Sequence, residues 1–249
     1  MRTIRAAEKL EATDCPPTHL DHGGKDRVQE RILALCAGVA QPQHGRGRPR
    51  TPLADIVFAA AAKGYSRISG RCASEDTRER DAKGSIARAP HYVTVMRALS
   101  DPSLTLILKQ LIAESALSLR SEETNLVIGV SEFATCVNSA TEMRVRASLA
   151  CDTKTHVVAS ADVVVEDDQL CALVELQDPA AEETFSLIKS KFGGSVRSRL
   201  SVARVNEVYC KILAHNVSLV CAIDDAGSEP PSEAQTAARS AESSSASAA

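Results

Sequence analysis

The stretch Met143-Arg144-Val145-Arg146-Ala147-Ser148-Leu149-Ala150 alternates apolar and polar side chains residue by residue. Period two belongs to a strand with one buried face, because successive side chains of an extended chain point to opposite sides. Asp152-Thr153-Lys154-Thr155 follows as a turn, and His156–Val165 reads as the next strand. Upstream, Asn125-Leu126-Val127-Ile128-Gly129-Val130 is a short apolar run between polar residues, the pattern of a buried strand. Three strands in succession therefore begin near residue 125.

On either side the period changes to that of helices. Residues 25–39 place Val28, Ile32, Leu35 and Val39 on one stripe. Thr51-Pro52 is a cap followed by proline at the first helical position, with Gly64 as the expected stop. Further helices are expected over Ala73–Lys83, from His91 to Leu99, and from Asp101-Pro102 to about Leu119. After the strands, residues 168–176, Ala180–Phe192 and Val202–Ala222 carry helical patterns. The last of these repeats Val205, Val208, Tyr209, Ile212, Leu213, Val217 and Val220 on a single stripe. Beyond Asp225 the chain is rich in Ser, Ala and Glu with Pro230-Pro231, a composition that buries too little apolar surface to fold. The resulting division is a loose lead-in (1–24), a helical basic region (25–120), an α/β region (121–223) and a disordered tail (224–249).

Aromatic residues make up 3% of the chain and Trp is absent, so the core must be built from aliphatic side chains. The net charge of −3 conceals segregation. Residues 25–100 hold 14 Lys and Arg against 7 Asp and Glu, and residues 185–215 hold 6 against 1. Two basic blocks on a mildly acidic chain fit local binding of an anion, with nucleic acid the first candidate and a solvated surface the plain alternative. The eight cysteines include no C-x-x-C pair, which speaks against a zinc site and a disulfide framework and for small buried thiols in a reducing cytosol. No apolar run approaches the length of a membrane span. The expected location is cytoplasmic, associated with the nucleoid.

Gly45-Arg46-Gly47-Arg48-Pro49-Arg50 contains Arg-Gly-Arg-Pro, a sequence suited to a narrow minor groove. There Arg46 and Arg48 can lie deep in the negative potential of A·T-rich DNA, with Arg50 at a phosphate. A solvated basic linker is the competing reading.

The run Glu182-Glu183-Thr184-Phe185-Ser186-Leu187-Ile188-Lys189-Ser190-Lys191-Phe192-Gly193-Gly194 places a carboxylate and an ammonium two turns apart on one helix face. Taken alone, that spacing also describes an ordinary solvated charge pair. In order along the chain stand Pro52-Leu53-Ala54-Asp55, Pro90-His91-Tyr92, Asp101-Pro102, Glu114-Ser115-Ala116-Leu117, Lys154-Thr155-His156, Asn206-Glu207-Val208 and Cys210-Lys211-Ile212-Leu213-Ala214-His215-Asn216. Together with the Glu182–Lys189 run, these resemble two separated pieces of a bacterial insertion-sequence DDE transposase. The group is the one that includes insertion sequence 4 and carries a Tyr-Arg-Glu-Lys signature. The resemblance runs from about Lys25 to Ile223.

The resemblance implies an α/β (α+β) fold, with a helical N-terminal DNA-binding region followed by an RNase H-like domain. It implies strand cleavage and transfer at element ends by three carboxylates holding two Mg²⁺ ions. Glu182 would be the third carboxylate. Lys189 would hold DNA phosphate, with Lys191, Arg197 and Arg199 assisting. A homodimer is the assembly considered.

The departures bear on activity. The family's first aspartate falls on Gly129, which has no side chain to bind a metal. The stretch carrying the second has no counterpart, so the RNase H-like domain is expected to be incomplete. The signature's tyrosine and arginine fall on Glu175 and Asp178. Glu132 is the nearest other acid, and Asp162, Glu166, Asp167 and Asp168 cluster after the third strand. Such acids are ordinarily solvated turn or cap residues. His91, His156 and His215 are isolated in sequence and read as structural or surface imidazoles. The expectation is a transposase-like protein without an intact metal site and without catalysis. A non-catalytic DNA-binding protein, acting as an inhibitor or a domesticated regulator, and a decayed remnant are the alternatives.

Overall fold

The computed structural model describes residues 22–43, 50–66, 70–119, 125–135, 144–166 and 178–228. Arg46 and Arg48, the helical pattern at 168–176, Asp167 and Asp168 lie outside the described residues. So do nearly all of the lead-in and the tail from residue 229.

Five helices precede the strands: α1 (His22–Cys36), α2 (Leu53–Ser66), α3 (Gly70–Ala82), α4 (Tyr92–Leu99) and α5 (Pro102–Leu117). Strands β1 (Leu126–Thr135), β2 (Arg144–Asp152) and β3 (Val158–Glu166) follow, then α6 (Pro179–Phe192), β4 (Ser195–Val196) and α7 (Ser201–Ser228). The described residues thus form an α+β fold of seven helices and one four-stranded mixed sheet.

Local chemistry explains the helix starts. Asp101 accepts a hydrogen bond from the Ser103 amide at the N-cap of α5, with Pro102 behind it. Asp178 accepts from the Ala180 amide at the N-cap of α6, with Pro179 behind it. Each cap satisfies an amide that has no partner within its helix.

The strand order is β3-β2-β1-β4. β1 pairs antiparallel with β2 through Leu126–Phe133, β2 pairs antiparallel with β3, and Ala134 and Thr135 pair in parallel with β4. β1 runs five residues beyond the expected end at Val130, and β4 was not expected. Ser131 and Glu132 hide the extension, because they interrupt the apolar run while Arg146 and Ala147 of β2 still pair with them. A bulge lies between Ala150 and Cys151 of β2, next to the turn. In that turn Asp152 accepts from the Thr155 amide and hydroxyl, while His156 takes positive φ (57°).

The alternation at 143–150 faces as expected. Val145, Ala147, Leu149 and Cys151 are buried, whereas Arg144 is exposed. Helices α5, α6 and α7 contact the sheet. One apolar core includes Phe58 and Tyr65 of α2, Leu108 of α5, Phe133 and Leu149 of the sheet, Phe192 of α6 and Leu213 of α7. The helices before residue 120 and the sheet after it therefore share their interior.

α7 departs from its single-stripe pattern, since nearly every residue from Ala203 to Cys221 is buried. It lies between the early helices and the sheet, so its polar positions must find partners inside. Asn206 bonds Thr105, the Leu99 carbonyl and the Asp101 carbonyl. Tyr209 accepts from the Val163 amide at 3.1 Å. Asn216 joins Ser115 of α5 to both backbone groups of Val158. Gly64 does not stop α2. It lies within the helix, where an added Cβ would stand 2.8 Å from Cys210 Cβ, so glycine permits the close approach of α7.

Cys36, Cys151, Cys210 and Cys221 are buried free thiols, and burial pushes those of Cys36 and Cys210 up to about 12. Cys72 departs from the expectation of free thiols, because it is disulfide-bonded. No helix among the described residues is long and apolar enough to cross a membrane.

Candidate functional site

Gly129 and the start of α6 meet directly. A Cβ added to Gly129 would stand 2.4 Å from Ala181 Cβ, well inside contact distance. Position 129 is thus brought beside the helix turn that carries Glu182. Glu182 itself is exposed in the first turn of α6, and its amide donates to the Asp178 carbonyl at 3.0 Å. Asp178, where the family signature would put arginine, serves as the helix cap.

Among the described residues, Glu132, Asp162 and Asp152 do not converge on Glu182. Glu132 lies an odd number of residues from Gly129 and therefore projects from the opposite sheet face. There it pairs with Arg144 at 2.8 Å and Arg146 at 3.6 Å. Asp162 pairs with Lys109 of α5 at 2.9 Å. Asp152 is committed to its own turn. Among the described residues, no group of three His, Cys, Asp or Glu could hold a metal ion. The residues at this position do not fit a Mg²⁺ pair, which needs bridging carboxylates on one side of the sheet.

The histidines have structural surroundings. His215 is buried with Nε2 2.9 Å from the His156 carbonyl, and burial pulls its pKa down to about 4. The neutral ring donates that hydrogen bond. His156 lies near Thr184 and Glu183 of α6, at 3.1 Å and 3.8 Å.

Lys189 turns inward. Its ammonium donates to Ser131 Oγ at 2.7 Å and lies 5.5 Å and 6.0 Å from the Phe133 and Phe185 ring centres. Burial pulls its pKa below the usual lysine value, against the opposing influence of Glu132. Lys191, Arg197, Arg199 and Arg50 are exposed. Lys191 stands 5.7 Å from the Phe192 ring centre.

A second arrangement, around Arg197, assembles residues that the sequence keeps apart. Glu207 of α7 is buried and accepts from the Arg197 amide (3.1 and 3.2 Å), the Ser198 amide (2.9 Å) and the Ser198 hydroxyl (2.6 Å). Burial pushes its carboxyl up, but the Lys63 charge and these hydrogen bonds outweigh burial and hold the pKa below the usual carboxylate value. Lys211, one turn further along α7, is also buried. It donates to the Gly193 and Ser195 carbonyls at 2.7 and 2.6 Å. Of this group, sequence reasoning identified only Arg197 as a site residue. The available signal was the pair of charges, Glu207 and Lys211, one turn apart on a helix patterned for burial.

A carboxylate with a depressed folded pKa adds stability above its unfolded pKa and loses it as pH falls through the folded value. Glu207→Gln is therefore expected to flatten the acid limb of the stability profile below about pH 4.3. At neutral pH it should cost about 1–3 kcal/mol, through the altered hydrogen bonds. Urea unfolding of both proteins between neutral and acid pH measures this, and superimposable acid limbs would contradict it.

Compared with protein-family models, curated proteins and solved structures, the chain matches none.

Proposed function

We propose that this chain is a transposase-like DNA-binding protein that does not cleave or transfer strands. The reading joins the resemblance along the sequence to the surroundings of Glu182. Support for an incomplete RNase H-like core comes from the order of elements, three antiparallel strands followed by helices. Support for inactivity rests on one contact. The space that a first-strand carboxylate at position 129 would occupy is filled by Ala181, at 2.4 Å from a Cβ built there. With Glu132 on the other face, Glu182 has no carboxylate partners for a two-ion site among the described residues. Binding rests on the basic residues, with Arg46, Arg48 and Arg50 reading an A·T-rich minor groove and the exposed Arg197 and Arg199 meeting phosphate.

The test uses the full chain. Fluorescence anisotropy with A·T-rich and G·C-rich duplexes should show affinity that falls steeply with salt and favours A·T. Arg46→Ala and Arg48→Ala should each weaken binding and reduce the A·T preference. Incubation with Mg²⁺ and duplex should yield no cleavage, in the parent and in Glu182→Gln alike. Mg²⁺-dependent cleavage that disappears in Glu182→Gln would overturn the inactive reading. Equal affinity for both duplexes, untouched by the arginine substitutions, would overturn the groove reading.

A further inference from the structure

We infer that the cavity walled by Lys63, Gly193, Ser195, Arg197, Glu207 and Lys211 holds one phosphate group of a polynucleotide backbone. The inference rests on the DNA-binding reading above and places a contact that the sequence did not identify. The cavity measures about 50 Å³, lies between the end of α2, the β4 strand and α7, and opens to the surface. A single water needs roughly 10–15 Å³ on this measure, so the space suits a few waters or one small oxyanion.

Its charge selects the ligand. Three cationic residues and one carboxylate line it. The carboxylate of Glu207 is already committed to the Ser198 hydroxyl and the two loop amides. Lys211 is committed to two carbonyls, which fixes a positive charge in the wall. Lys63 acts on Glu207 through space. Among the described residues no hydrogen bond or salt bridge holds the Lys63 ammonium or the Arg197 guanidinium. Two cations without a fixed partner beside an open cavity leave a positive potential, which an anion relieves. A phosphate can accept from several donors at once, and the guanidinium matches two of its oxygens. Arg199, exposed two residues beyond Arg197, continues the positive surface outside the cavity, as a chain of phosphates requires.

Lys63, near the end of α2, lines the cavity together with residues drawn from 193–211. It joins the basic region of residues 25–100 to that of residues 185–215. One backbone phosphate held there would be touched by both.

The experiment has two arms, each with the full-length protein. Inorganic phosphate is titrated by calorimetry against the parent, Lys63→Gln, Lys63→Arg and Arg197→Ala. Phosphate should bind the parent, bind Lys63→Gln and Arg197→Ala about tenfold or more weakly, as expected for losing a charged hydrogen bond, and bind Lys63→Arg nearly as well. In the second arm, duplex affinity is measured against salt. Lys63→Gln should lower the slope of log K against log salt by about 0.9, the value for one phosphate contact. Parent and Lys63→Gln binding phosphate equally would overturn the inference. So would phosphate binding with an unchanged duplex slope, since the cavity would then hold free phosphate only. If the parent binds no duplex, the DNA-binding reading fails, and the backbone phosphate fails with it, whereas an unchanged slope removes only the cavity. Arg197, being exposed, keeps the phosphate arm decisive should Lys63→Gln fold poorly.

Discussion

Gly129→Asp is expected to cost about 3–5 kcal/mol of folding stability and to restore no Mg²⁺-dependent cleavage. Overpacking a close contact costs about 1–3 kcal/mol, and burying a carboxylate without partners adds a comparable amount. The contact cannot be relieved cheaply. Ala181 lies in the first turn of α6, which the Asp178 cap and Pro179 fix to the chain before it. The same turn is tied to the hairpin by Thr184, whose hydroxyl lies 3.1 Å from His156 Nδ1. Gly129→Ala should show the steric part alone, about 1–3 kcal/mol. Ala181→Gly in the Gly129→Ala background should recover part of that loss, although glycine in a helix costs about 1 kcal/mol by itself. Chemical denaturation of the parent and the three variants forms the measurement. Gly129→Asp as stable as the parent would mean that α6 does not lie against β1 as described.

Asn216→Ala should be at least as damaging, at about 3–5 kcal/mol. The Asn216 amide accepts from the Val158 amide at 2.9 Å and donates to the Val158 carbonyl at 2.8 Å and Ser115 Oγ at 3.0 Å. One side chain thereby satisfies both backbone groups of Val158 at the start of β3 and ties α5 to α7. Its removal leaves buried backbone groups without partners, each costing about 1–3 kcal/mol, and opens a gap among packed neighbours. Amide hydrogen exchange at Val158 should accelerate along with the loss in stability. A decrease below about 1 kcal/mol would show that water or a neighbour replaces the asparagine.

These two positions also separate what a linear reading reveals from what it cannot. The strand at Met143–Ala150 was legible because alternation is a local property, written every two residues. The start of α5 was legible because Asp101-Pro102 sets both a cap and a fixed φ within two residues. The extension of β1 through Ser131 and Glu132 was hidden, because its polar residues are satisfied by partners far along the chain. Lys189 bonds Ser131, and Arg144 and Arg146 hold Glu132. Gly64 looked like a helix stop and instead admits Cys210, since the approach of α7 leaves no trace in the residues around it. The stripe on α7 suggested one buried face. The helix is enclosed on all sides, and its buried Asn, Glu, Lys and His residues are tolerated through bonds to distant backbone groups.

The candidate site divides in the same way. The residue types at 129 and 182, a glycine and a glutamate, were read directly, and with them the expectation that a two-ion centre is not assembled. That position 129 is occupied sterically by Ala181, beyond merely lacking a carboxylate, depends on a helix more than fifty residues later in the chain. The resemblance implied a phosphate contact for Lys189, but a position along a helix does not say what its face meets, and here it meets Ser131 and two phenylalanine rings. The cavity at Lys63, Arg197 and Lys211 has no local signature beyond the charges of Glu207 and Lys211 on α7. The sequence by itself determined the types of the longer elements, the capped start of α5 and the lack of a carboxylate at position 129, because each depends on neighbours a few residues away. Only the tertiary structure decided which charges are buried, which are held and which share a cavity, because burial and Coulombic contact depend on distance in space, and the chain brings those residues together only when it folds.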